Sequence, residues 1–229
     1  MTSLLRFGRR ALVCLGLVML MPLRLSAQDE KTLVQQGMDA WYSGDYEKAI
    51  AVDTQALQLD PKDARALANR GNCYLVLREN DKAIADYDQA LKYDPQNLVA
   101  RDNLGSAYLY KRNFGRSLAI YESAIQDYPK DWKAYFIAAG ILATCPQAEF
   151  RDGMKAVDYA TKAWELTQGS IPITVDQLAA ACAEAGDFDL AVKWESQYLA
   201  TPNLGAQEIG YAKNRLALHK VHLPYHQTE

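Results

Sequence analysis

Beyond residue 30, apolar residues recur at helical spacing through almost the whole chain. Ala64 to Leu77 carries one such stretch and Asp81 to Tyr93 another, and Asp94-Pro95 closes the pair because proline cannot continue a helix. The pairing then repeats. Pro61, Pro95 and Pro129 stand 34 residues apart, and the same interval links Gly37, Gly71 and Gly105. In phase with them run Ala56, Ala90 and Ala124; Leu57, Leu91 and Ile125; and Ile50, Ile84 and Leu118. Five columns in register define an internal repeat.

Each unit reads as two helices. Asp63, Asn97 and Asp131 follow the prolines, where a side-chain oxygen can cap the next helix. The glycine and alanine columns let helix backbones approach closely, and the large columns fill the space beside them. One hairpin cannot bury its own apolar face, so the units must stack.

These residues resemble the tetratricopeptide repeat, in which a small residue, an aromatic, an alanine, another aromatic and a proline recur at this period. Leu104-Gly105 with Tyr108, Tyr121, Ala124 and Pro129 carries the strongest likeness, followed by Gly71, Tyr74, Ala83, Tyr87, Ala90 and Pro95. The first unit departs at Ala40 and Asp53, where aromatics are usual, and the third at Arg101 and Ser117. The resemblance implies an all-α fold: a right-handed superhelical solenoid of stacked antiparallel helix hairpins with a C-terminal capping helix. Residues 28–131 make three regular repeats and residues 132–203 two divergent hairpins. In the latter, Trp132 to Thr144 pairs with Met154 to Leu166 across a loop about five residues longer than the period allows, and Thr174 to Ala185 pairs with Asp187 to Ala200. Residues 204–229 form the cap and tail. On the cap, Ile209, Ala212 and Leu216 should pack inward, Glu208, Lys213, Arg215 and Lys220 should face solvent, and Val221 to Glu229 should be a loose tail.

The first 27 residues are of another kind. Arg6, Arg9 and Arg10 precede an apolar run from Ala11 to Leu23, and the small Ala27 precedes Asp29 and Glu30, the layout of a cleaved signal peptide. Contact with a membrane would follow only if that segment stayed uncleaved, and the expected location is periplasmic or secreted. Taking its four arginines from 25 basic residues leaves 21 against 28 acidic ones. Such a surface repels phosphate backbones, which excludes nucleic acid as a partner. Cys73, Cys145 and Cys182 fall in apolar helical runs and read as buried thiols.

Signs of catalysis are missing. There is no glycine-rich phosphate loop or nucleophile elbow, and no histidine precedes His219. His219, His222 and His226 could in principle ligate a metal, but Pro224 breaks the helix and no acid or cysteine completes a site, so they are expected on an exposed tail. Neither a cofactor nor a small-molecule substrate is expected, and the reading is a non-enzymatic scaffold for a protein or peptide. Its alternative is a permanent subunit or assembly factor of an envelope complex.

By the family's geometry, first helices line the concave side. That places Lys31, Val34, Gln35, Met38 and Trp41 of the first unit in the groove, with Val76, Val99, Asp102, Ser106, Phe136 and Ile137 further on. The candidate peptide-binding residues are Arg65, Asn69, Asn72, Asn103, Tyr110 and Lys133, because amides offer a donor and an acceptor to an extended backbone. Some relatives hold a terminal carboxylate with two lysines, two asparagines and an arginine. Here Asn72, Asn103 and Lys133 match that set, whereas Ala68 and Ile137 do not.

Overall fold

The computed structural model describes residues 27–227, with side chains from residue 31 onward. The segment expected to be a signal peptide, apart from Ala27, lies outside the described residues. Among those described there are eleven α-helices and no strand. Five hairpins follow one another: α1 (Ala27–Tyr42) with α2 (Tyr46–Leu59), α3 (Ala64–Val76) with α4 (Asn80–Tyr93), and α5 (Leu98–Tyr110) with α6 (Phe114–Asp127). Then come α7 (Trp132–Thr144) with α8 (Gly153–Leu166), α9 (Pro172–Glu184) with α10 (Phe188–Leu199), and the single α11 (Ala206–Lys220). Each helix packs on the next, and α1 on α3, α3 on α5 and α7 on α9 form an inner layer. No helix of the described residues is long and apolar enough to cross a membrane.

The caps fall where the spacing puts them. Asp63 accepts from the backbone N–H of Arg65 at 2.8 Å, Asn97 from Ala100 at 3.0 Å and Asp131 from Lys133 at 3.0 Å. These bonds satisfy donors that a helix start leaves open.

The glycine column explains the packing between helices. Tyr87 lies so close over Gly71 that a β-carbon there would stand 2.8 Å from the ring, and one at Gly105 would stand 2.6 Å from Tyr121. Both tyrosines are fully buried, as are Ala56 and Ala90. Asp53 takes the ring's place in the first hairpin, packed on Gly37. The long loop between α7 and α8 is tied down rather than free: Arg151 donates to the Cys145 carbonyl and to Glu184, each at 2.9 Å. Cys73, Cys145 and Cys182 are buried free thiols, and burial pushes Cys73 up to about 12.

Three expectations fail at the C-terminal end. Arg215 is not solvated; it lies between α9, α10 and α11, paired with Asp176 and, at 3.2 Å, with Glu195. His219 is fully buried beside Glu195, with neither ring nitrogen hydrogen-bonded. Arg215 and His219 share the inward face of α11 with Ala212, and only the carboxylates of two other helices make that face habitable for an arginine. Burial, then Arg215, holds His219 down at about 4, and burial raises Glu195 to about 7 against the pull of Arg215.

Nor is the tail loose as far as it is described. The His222 ring stacks on Phe188 with centroids 5.1 Å apart. His226 Nε2 lies 2.6 Å from Glu184 Oε2, and the Gln227 backbone N–H donates to the Thr144 carbonyl at 2.9 Å. The helix ends at Lys220, ahead of Pro224, and the sequence does not show the surface onto which the chain then folds back.

Candidate functional site

The inner layer presents two different surfaces. Along α3 and α5 its polar groups bind one another: Tyr87 Oη donates to Asn72 Oδ1 at 2.8 Å, and Asn103 Nδ2 donates to the same oxygen at 2.7 Å. One repeat further on, Tyr121 Oη donates to the Asp102 carbonyl at 2.9 Å and lies 3.2 Å from Ser106 Oγ. Asn72 and Asn103 therefore join neighbouring hairpins, with Asn72 Nδ2 and Asn103 Oδ1 left to meet a partner.

The other candidate residues are spread along this face. Asn69 borders a small cavity beside Met38 and Trp41. Lys133, exposed on the first turn of α7, and Arg101 temper the burial that raises Asp102 to about 6, while Asp131 adds to the rise. Tyr110 is exposed at the end of α5, with the Arg78 guanidinium 4.5 Å from its ring centre. Arg65 is turned toward Asp63, its guanidinium 3.2 Å from that carboxylate at the start of α3. Asn69, Asn72 and Asn103 thus form one row, and Tyr110 belongs with a different set of residues. Val34, expected in the groove, is instead buried against Ala56 and Ala66, because its position on α1 faces the second hairpin.

That different set lines a cleft of 450 Å³ running from the end of α5 across α7 to α9. Leu109, Phe136, Ile137 and Ile141 give it apolar walls, and Gln177 stands on its α9 side. Gln177 is nine-tenths buried, and its Nε2 donor has no partner. Gly140 makes the room, since a β-carbon there would press to 3.2 Å from Gln177 Oε1. At the rim lies Gln227, whose backbone and side-chain amides donate to the Thr144 carbonyl at 2.9 Å and to its hydroxyl at 3.2 Å. Sequence reasoning missed Gln177 and Thr144. The signal was present as an amide directly before the apolar string Leu178 to Ala183, but it points to a cleft only once α7 supplies the opposite wall.

Among the described residues, no three histidine, cysteine or acidic side chains stand close enough to hold a metal. His219, His222 and His226 are engaged separately, in the core, on Phe188 and on Glu184.

Antiparallel hairpins stacked around an inner layer define a helical-repeat solenoid. The tetratricopeptide repeat model matches residues 34–97 and 103–144, which identifies those residues as tetratricopeptide repeats. Solved structures share the fold. A tetratricopeptide repeat protein from Parabacteroides merdae superposes with a TM-score of 0.69 at 17% identity, covering 85% of this chain and 77% of its own. MamA from Desulfovibrio magneticus gives 0.65 at 16% identity, with coverages of 81% and 97%. YrrB, described as a tetratricopeptide repeat protein with an unusual peptide-binding site, gives 0.66 at 19% identity, with coverages of 82% and 93%. No curated protein matches the sequence.

Proposed function

We propose that the chain is a non-enzymatic scaffold that holds an extended segment of a partner protein on its concave face, outside the cytoplasm. The observation that carries this reading is the cleft between α5 and α9, where apolar walls surround an unpartnered amide donor. An extended chain would place a side chain between Phe136 and Ile137 and a carbonyl on Gln177 Nε2. The protein's own tail already uses this chemistry at the rim, through the main-chain bond from Gln227 to Thr144. Main-chain bonds with pockets for side chains are a general mode of peptide recognition. The family supports a scaffold rather than a catalyst, and the peptide-binding site named for YrrB fits the same use of this fold. Lys133, Asn72, Asn103 and Asn69 would continue the track toward the N-terminal hairpins, and Lys133 favours an acidic stretch there. Location outside the cytoplasm rests on the basic and apolar N-terminal segment, and a mature N-terminus near Gln28 by mass spectrometry would support it.

Capture of partners from a native envelope extract tests the binding reading. A Gln177→Ala variant and a Phe136→Asp variant should each lose partners that the parent protein retains, with helical content unchanged. Loss of one hydrogen bond from Gln177 corresponds to about 0.5 to 1.5 kcal/mol, a several-fold weaker complex. An identical partner set with both variants would move the binding surface elsewhere.

A further inference from the structure

The first helices of the three regular hairpins end in the same way. After α1, α3 and α5 a residue with positive φ, namely Gly44, Arg78 or Arg112, closes the turn, and its backbone N–H bonds to the carbonyl of Trp41, Leu75 or Leu109. One repeat further on, that register position is Pro146, which has no N–H and cannot take a positive φ. Cys145, just before it, is extended. The turn cannot form, so α7 ends on carbonyls that the following residues do not close. Groups from further along take them: the Asp152 N–H bonds to Leu142 at 3.0 Å, Arg151 to Cys145 at 2.9 Å, and the Gln227 N–H to Thr144 at 2.9 Å.

The last of these bonds comes from the tail and lies on the cleft. Gln227 and Thr144 both line it, together with Tyr110, Phe136, Ile137 and Gln177. Tyr42, Val76 and Tyr110, which hold the register of Thr144 in the earlier hairpins, are exposed, whereas Thr144 is buried. Gln227 engages it twice, since its side-chain Nε2 also donates to Thr144 Oγ1 at 3.2 Å. Beside it, His226 Nε2 lies 2.6 Å from Glu184 Oε2, while Arg151 holds the other oxygen of that carboxylate at 2.9 Å. A partner segment that uses the Thr144 acceptor therefore has to displace Gln227. The few bonds that hold the tail are of a kind a partner can replace one for one.

We propose that His226 and Gln227 are an internal competitor for the cleft: they occupy its Thr144 rim in the unbound chain, and a partner segment binds by displacing them. This rests on the reading of the cleft as a binding surface and adds its regulation. It also names the chemistry recognised at the rim, a main-chain N–H and an amide for Thr144 next to an imidazole or basic group for Glu184.

The test is titration of the full chain, labelled in its isoleucine methyl and glutamine side-chain amide groups, with acetyl-Leu-Pro-Tyr-His-Gln-amide, the sequence of residues 223–227. In the parent chain the Gln227 amide hydrogen should be protected from solvent exchange, and the peptide should bind weakly. The double variant His226→Ala and Gln227→Pro lacks the imidazole, the main-chain N–H and the amide of the tail, and should keep its helical content because both residues lie beyond α11. It should bind the peptide about tenfold more tightly, with shifts at Ile137 and Gln177, because the competing state is gone. The peptide ending Ala-Ala in place of His-Gln should not bind. Equal affinity of parent and double variant would overturn the competition, as would an unprotected Gln227 amide, a peptide that moves neither resonance in the double variant, or an Ala-Ala peptide that binds as well. Each of these outcomes leaves the cleft itself to be judged by partner capture with Gln177→Ala and Phe136→Asp, a measurement that does not involve the tail variants.

Discussion

The second and third hairpins keep most columns of the repeat and join their inner-face polar groups to one another. The first, the last two and the cap depart further and bury Asp53, Gln177 Nε2 and His219 without hydrogen-bond partners, as the second hairpin does only at Asn80 Oδ1. In the regular region Asn72, Asn103, Tyr87 and Tyr121 close a hydrogen-bonded row between neighbouring units. In the irregular regions Asp53 and Gln177 Nε2 are buried without partners, and Arg215 is held only by carboxylates from two other helices. Residues that keep the repeat period mainly hold the stack together. The proposed binding surface lies where the period fails, because a side chain of the wrong length or polarity leaves a void or an orphan beside it.

The largest expected effect breaks the cap. Arg215→Met removes the cation that allows Asp176 and Glu195 to be buried, and at pH 8 it should cost about 3 to 5 kcal/mol in urea denaturation. The loss should shrink at pH 5, where Glu195, raised to about 7, takes up a proton instead. A small, pH-independent change would mean that the cap is not held by this pair.

Next comes the regular stack. Gly105→Leu drives a side chain into the Tyr121 ring and should cost about 3 kcal/mol, the upper range for overpacking. The same measurement on Gly210→Leu, where a β-carbon meets nothing within 4 Å, should show little change, and equal losses would refute the packing role of the glycine column.

A smaller effect separates fold from function on the inner face. Asn72→Ala takes the acceptor from Tyr87 and Asn103 together, and should lower stability by about 1 to 2 kcal/mol because the buried hydroxyl is left unpaired. Asn72 is for that reason a poor probe of binding, and Lys133→Glu a better one. A Lys133→Glu variant that melts normally and loses acidic partners in a salt-dependent way would sharpen the distinction.

The last effect is one of pH. Asp53 titrates near 3.8 when exposed and near 7 in the fold, so between those values the folded chain holds a proton that the unfolded chain releases. Its contribution therefore turns against stability as pH rises from about 4 to 7. His219, lowered to about 4, works in the opposite direction over the same range, and Glu195 and Asp102, raised to about 7 and about 6, work in the same direction, so the wild-type curve alone mixes these groups. Comparison with Asp53→Asn isolates the carboxylate: the variant should gain on the parent chain as pH rises, with the margin widest above pH 7. A margin that stays flat from pH 4 to pH 8 would place Asp53 in a less costly environment than its burial indicates.

The sequence by itself determined the repeat, the five hairpins and the cap, because each depends on spacing along one chain. The 34-residue columns, the capping Asp63, Asn97 and Asp131, and the close pairing of Gly71 and Gly105 with large neighbours are local or periodic signals, and the departure at Asp53 was visible as a broken column. Only the tertiary structure decided what those departures mean. That Asn72 and Asn103 share one oxygen, that Gln177 faces a cleft walled by α7, and that the tail reaches Thr144 depend on residues brought together from 31 to 83 positions apart. Arg215 and His219 show the physical reason most plainly. Hydropathy assigns a charged side chain to water, whereas its true place is set by the charges opposite, and those lie on helices that adjoin α11 only after the chain has folded.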